Sequence, residues 1–231
     1  MEAPGFDEEE AVTALFTNRR DAGQRLARRT SDCLRARPGS EPVVVGLAPG
    51  GVAVAAEVAR ELAAPLDVVV ARPLTAPGNG TPLGALADEA PPVLNRRAMR
   101  GLGLGERDLE AEVTHQRVEL HRLEKLYRDR RPPLPVDGRT VVLVTDGVVY
   151  GPVTPAAVQA LRGRGPGLLV LAAPVCDARS AAVLRRVVDV LLCLRETTYL
   201  HAVGPWYDDF RDVTDREVAV LLRQQPARRP V

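Results

Sequence analysis

The chain is poor in the residues that most often carry redox, metal or stacking chemistry: it has three cysteines, three histidines, one tryptophan and 3% aromatic residues in all. Cys33, Cys176 and Cys193 are odd in number, far apart and set in or beside apolar runs. That excludes a disulfide framework and a clustered metal site, and the three read as small packing groups in a reducing compartment. His115 and His121 stand six residues apart in a stretch with helical spacing, so they do not share a face and are read as solvated helix residues. Charge of one sign is also lacking. Lys and Arg number 31 against 30 Asp and Glu, a net charge of +1, which gives no case for nucleic acid or an anionic membrane as partner. The stretch "MEAPGFDEEEAV" is acidic and has no apolar run of signal-peptide or membrane length, so a cytoplasmic location is expected. There is no Gly-x-Ser-x-Gly elbow, Walker loop or dinucleotide fingerprint, which argues against hydrolases and common nucleotide-binding modules.

What is present points to one α/β core. A chain of 231 residues, 45% hydrophobic, can bury one substantial core, and we expect a single domain over 16–231 behind an N-terminal extension, 1–15. Helical spacing runs from Ala11 to about Arg37 and is broken by "PGSEP". "VVVGL" then leads through Ala48-Pro49-Gly50-Gly51 into the helical "VAVAAEVARELAA", and "LDVVVAR" (66–72) is the next strand. This is a βαβ unit, with parallel strands and a right-handed crossover. Residues 72–92 are rich in Gly and Pro and are expected to form a hood with a flexible loop. Glu106 to Arg130 is a long charged helix with an apolar stripe, offering a face for a homodimer. "RTVVLVTDG", "GLLVLAAPV" and "VLLCL" are apolar strands alternating with helices, as a parallel sheet covered on both faces requires. Trp206 and Tyr207 are expected to anchor the C-terminal segment, whose last helix is capped by Thr214 with Glu217 at its third position.

In open parallel sheets ligands bind beyond the carboxyl ends of the strands. Two loops lie at such ends here, Ala48 to Gly51 and Thr145 to Thr154, and each precedes a helix whose N-terminal amides favour anions. A small ligand with two separated phosphate groups fits that arrangement. His201 is the one histidine near this region, and we carry it as a side candidate for a general base.

At these loops, and along "FTNRRDAGQRLA", "GGVAVAAEVARELAAPLDVVVAR", "APGN", "LGALA", "VLN", "RPPLPVDGRTVVLVTDG" and "AVGPWYDDF", the sequence resembles the type I phosphoribosyltransferases. The resemblance covers nearly everything after residue 15. It implies a doubly wound, mostly parallel sheet with a small hood, and transfer of a 5-phosphoribosyl group from phosphoribosyl pyrophosphate to a nucleophile with Mg2+. It further implies that the acidic pair after the strand holds the ribose hydroxyls, that the following turn holds the 5'-phosphate, and that the Pro49-Gly50-Gly51 loop takes the pyrophosphate. Carried over, the implied ligand-binding positions are Thr145, Asp146, Gly147, Tyr150, Gly151, Val153, Thr154, Pro49, Gly50, Gly51 and Arg72, with Asp146 as the catalytic candidate and an indirect Mg2+ contact.

Several of these positions depart from the family pattern. Thr145 stands where the first acid is expected, Tyr150 and Val153 where hydroxyl residues are expected, and Ala48-Pro49 where Pro-Arg is expected. Pro73 replaces a lysine after Arg72. Pro152 removes one backbone amide from the anion cradle, and Tyr150 is large enough to fill the seat. A hydrogen bond to a charged group contributes about 1.5 to 3 kcal/mol, so losing several weakens phosphate binding by roughly three orders of magnitude or more. The expected function is therefore a phosphoribosyltransferase-like protein with weak or lost transfer activity and a binding, regulatory or altered-ligand role, alone or beside an intact homologue. The alternative is an active enzyme with an unknown acceptor. An Ala48-Pro49 cis bond is expected to preserve the bend of the first loop.

Overall fold

Near-continuous runs of Val and Leu make the central sheet. The computed structural model describes residues 13–37, 41–78, 80–198 and 200–224. Val43–Leu47 (β1), Leu66–Val69 (β2), Thr140–Val144 (β6), Leu168–Asp177 (β7) and Val190–Thr197 (β8) form one five-stranded sheet in the order β2-β1-β6-β7-β8, and every pairing is parallel. All residues of β1 and β6 are buried, because both faces are covered by helices.

Arg19–Arg35 (α1), Gly50–Glu61 (α2), Glu110–Arg128 (α4) and Asp215–Arg223 (α7) contribute to the core on one side, through Leu26, Val58, Leu123 and Leu222. Val153–Arg162 (α5) and Ala178–Leu184 (α6) cover the other side through Leu161 and Leu184. The chain thus leaves β1 toward one face and edge and leaves β6 toward the opposite ones. Between β1 and β6 lies a topological switch point, where the two following loops open a crevice. The doubly wound, mostly parallel α/β sheet expected from the sequence is the fold observed.

A second, smaller sheet occupies most of the segment 72–92. Within 72–92, read as a hood with a flexible loop, lie most of Ala71–Thr75 (β3) and all of Pro82–Ala87 (β4), which pair antiparallel; Val93–Leu94 (β5) pairs with β4 in turn. The turn between the strands needs its glycines for their conformation: Gly78 and Gly80 have φ of 84° and 68°. Inside β4, Gly84 is demanded by close pairing, since a Cβ there would stand 2.5 Å from the Val93 carbonyl. A further short helix, Arg96–Gly101 (α3), precedes a 3-10 turn at Glu106–Leu109, where the expected long helix begins.

The charged end of α4 is tied to β2 by a buried pair. Arg128 Nε donates to Asp67 Oδ1 at 2.9 Å and its Nη2 donates to the Val68 carbonyl, while Asp67 Oδ2 accepts from the Leu134 amide. His115 lies on α4 and His121 pairs with Glu89 at 2.5 Å, so both belong to a solvent-facing helix as expected. Trp206 and Tyr207 are buried with Phe16 and Leu200, which anchors the C-terminal segment as expected. The cap of α7 has the expected form: Thr214 Oγ1 accepts from the Glu217 amide at 3.2 Å and Glu217 accepts from the Thr214 amide at 2.9 Å. The helix expected from Ala11 begins later, at Arg19, because residues 13–18 are not helical and Asn18 caps the first turn; Ala11 itself, most of the 1–15 extension and part of "PGSEP" lie outside the described residues.

Candidate functional site

The switch point brings the two predicted loops into contact. Loop one, Ala48 and Pro49 with the first residues of α2, contains a cis Ala48-Pro49 peptide, as expected. Its two glycines pack directly on the other loop. A Cβ at Gly50 would lie 1.9 Å from Asp146 Oδ2, and a Cβ at Gly51 would lie 2.7 Å from the Val144 carbonyl and 2.9 Å from Thr145 Cα. A side chain at Gly51 would push the loops apart, and one at Gly50 would displace the Asp146 carboxylate.

Loop two leaves β6 at Val144 and returns to β7 before entering α5. The Val148 amide donates to the Val175 carbonyl at 2.9 Å and the Asp177 amide donates to the Val148 carbonyl at 2.7 Å, which extends the sheet by one bridge. Thr145 is buried, and its hydroxyl donates back to the Gly147 carbonyl at 3.0 Å, closing the bend. Gly147 is packed against Val203, whose methyls would meet a Cβ at 2.6 Å. By contrast nothing lies within 4 Å of a Cβ placed at Gly151. The first turn of α5 has no side-chain cap and no acidic residue, so its amides carry the positive end of the helix dipole without compensation.

Tyr150 does not fill this turn. It is 64% exposed, and the Arg179 guanidinium lies 4.7 Å from its ring centroid on the outer side. Val153 is partly buried against the α5–α6 side of the core. Arg179 is steered by Asp177, whose carboxylate caps α6 through the Arg179 and Ser180 amides. Burial raises the Asp177 pKa, but the Arg179 side chain and those amides more than offset this and hold the carboxyl below its usual value.

The central acid is engaged by a residue the sequence reading passed over. Arg19, the first residue of α1, donates from Nε to Asp146 Oδ2 at 2.9 Å and from Nη1 to the Arg211 carbonyl at 2.7 Å. Its guanidinium carbon also lies 3.7 Å from the Phe210 ring centroid. Asn18 sets the direction of α1 by accepting from the Asp21 amide as the helix cap. Below the ion pair, the Tyr207 hydroxyl donates to the Asp146 carbonyl oxygen at 2.6 Å. Burial and then the Asp146 charge push the Tyr207 phenol well above its usual pKa, so it remains a donor. Two segments distant in sequence therefore fix Asp146: α1 holds its carboxylate, and residues 207–211 hold its backbone carbonyl and the arginine.

The remaining candidates are placed apart from that pair. Arg72 lies on β3 and donates to Gln116 Oε1 of α4 at 2.8 Å. His201 is exposed. Among the described residues no group of three or more His, Cys, Asp or Glu could hold a metal ion, so a magnesium ion here would rest on Asp146 and the phosphates of its ligand. Asp146, to which an indirect Mg2+ contact was assigned, already faces a guanidinium.

Residues 15–209 match the model of the phosphoribosyl transferase domain. The chain belongs to the phosphoribosyltransferase family. A curated relative, "Putative phosphoribosyl transferase" of Mycobacterium tuberculosis, is 37% identical over 209 residues, which is 90% of this chain and 46% of that protein. The chain thus spans about half the length of the curated relatives it matches. The crystal structure of TT1426 from Thermus thermophilus superposes with a TM-score of 0.75 at 37% identity, covering 92% of this chain and 99% of that one. Within this phosphoribosyltransferase fold the switch point is where the two loops meet, the glycines of the first against Asp146 and the backbone of Val144 and Thr145. No helix among the described residues is long and apolar enough to cross a membrane.

Proposed function

We propose that this phosphoribosyltransferase-family chain binds a small phosphorylated pentose ligand in the crevice between the two loops, with phosphoribosyl transfer weak or lost, and serves a binding, regulatory or altered-ligand role. The observation that carries this reading is the state of Asp146. Its carboxylate, the one acid left of the expected pair, is held by Arg19 and pressed on Gly50, so it is committed to an ion pair before any ribose hydroxyl arrives. Anion binding then falls to the α5 amides from Gly151 onward and to the backbone at Gly50 and Gly51, Thr154 in that first turn being buried. A catalytic role for Asp146 requires its release from Arg19. A cytoplasmic location and either a homodimer or a partnership with an intact homologue go with this reading.

One observation favours the second reading, an active transferase with an unknown acceptor. Tyr150 turns outward and leaves space at Gly151, so the phosphate seat has not been filled by the side chain that replaced its hydroxyl. A thermal-shift titration with phosphoribosyl pyrophosphate, followed by an assay of pyrophosphate release across purine, pyrimidine and amine acceptors, separates the two. Saturation at a hundredfold excess over Kd adds about 2.7 kcal/mol of stability. The proposed function predicts such a shift without pyrophosphate release; release with any acceptor selects the enzyme, and absence of a shift for every phosphorylated pentose rejects both.

A further inference from the structure

The engagement of Asp146 bears on the cation that the site uses. Arg19 is fastened at three points, by Asp146 Oδ2 at 2.9 Å, by the Arg211 carbonyl at 2.7 Å and by the face of Phe210 at 3.7 Å. The pair is also packed close to the first residue of α2, where a Cβ at Gly50 would lie 1.9 Å from Asp146 Oδ2 and 2.9 Å from Arg19 Nε. A divalent cation at Asp146 would have to displace a guanidinium anchored in this way or sit beside it against like-charge repulsion. We infer that Arg19 is a resident cation that takes the place of the divalent metal at this junction, so that the phosphorylated pentose is bound as its metal-free anion.

Three further features agree with this assignment. A guanidinium stays charged at all physiological pH values and offers several donors in one plane, which suits phosphate oxygens. Arg19 Nη2 has no hydrogen-bond partner among the described residues and remains available. The first loop, which lacks the arginine expected at Pro49, meets one brought in from α1 at Gly50, where a Cβ would stand 2.9 Å from Arg19 Nε.

The inference rests on the ligand class proposed above, and its test is arranged so that the two fail separately. Ribose 5-phosphate and phosphoribosyl pyrophosphate are titrated calorimetrically into the full chain with magnesium or with EDTA. The wild type is expected to give Kd values within about twofold of each other in the two buffers. Arg19→Gln should weaken binding about tenfold or more in EDTA and regain part of it with magnesium, while Arg19→Lys should retain metal-free binding. Ligand binding that occurs only with magnesium, or an Arg19→Gln protein that binds as the wild type does in EDTA, overturns this inference and leaves the ligand reading standing. Failure of both ligands in both buffers overturns the ligand reading and this inference with it. If Arg19→Gln does not fold, Mn2+ titration of the wild type, followed by water-proton relaxation, decides: no bound ion is expected, and stoichiometric binding abolished by Asp146→Asn overturns it.

Discussion

The two loops at the carboxyl end of the sheet differ in how their glycines are used. In the first, Gly50 and Gly51 are both required by contact, one with the Asp146 carboxylate and one with the backbone at Val144 and Thr145. In the second, Gly147 is packed but Gly151 stands in open space. The first loop is therefore part of the packing that closes the switch point, whereas the outer half of the second keeps room for something outside the protein. A glycine retained in a ligand loop is informative only once its surroundings are known.

The contrast can be broken by adding single methyl groups. Gly51→Ala should have the largest effect: its Cβ meets backbone, which cannot rotate away, and overpacking of this kind costs typically 1 to 3 kcal/mol and occasionally more, so we expect about 3 kcal/mol of lost stability in denaturant unfolding. Arg19→Ala comes next. It leaves Asp146 part-buried without its partner and removes the cover on Phe210; after discounting for the 12% and 19% exposure of the pair, a loss of about 2 kcal/mol is expected. Thr214→Ala, which removes a helix cap far from either loop, should cost about 1 kcal/mol and leave ligand affinity unchanged. Gly151→Ala should be smallest in stability, within about 0.5 kcal/mol, yet it should reduce affinity for the ligand if the open space is the seat.

The same cap gives a pH signature. The Glu217 pKa is held down to about 2, well below the ordinary glutamate range, first by the Arg211 side chain and then by the Thr214 amide and hydroxyl. A carboxyl whose folded pKa is depressed stabilises above its unfolded value, and that contribution is lost as pH falls toward the folded one. Protection of the α7 amides from hydrogen exchange should therefore be constant above about pH 5 and decline between roughly pH 4.5 and 2, and Glu217→Gln should remove the decline.

How much of this was legible follows from the range of the interactions. β1, β6 and β7 could be read because Val and Leu runs report burial on both faces without reference to partners. The cap at Thr214 was legible because its partner is three residues away. The small sheet was not: Ala-Arg-Pro-Leu-Thr and Pro-Leu-Gly-Ala-Leu-Ala show neither β-branched density nor strict alternation, and only pairing across the turn makes them strands. Asp146 and the loop glycines were found through the resemblance, but Arg19 was not singled out. It stands beside Arg20 in an arginine-rich helix, and its role depends on a partner 127 positions away. The direction of Tyr150 was illegible for the same reason, since Arg179, over whose partner ring it lies, follows a different strand.

The central claim is that the open turn before α5, joined to the glycines of the first loop, receives the phosphate of a pentose ligand. The most direct measurement is a backbone amide chemical-shift titration of the isotope-labelled chain with ribose 5-phosphate. The account predicts saturable shifts concentrated at Gly151, Val153 and Thr154 with smaller ones at Gly50 and Gly51. Saturable shifts confined to other parts of the molecule, or none at these five amides at saturating ligand, would contradict it.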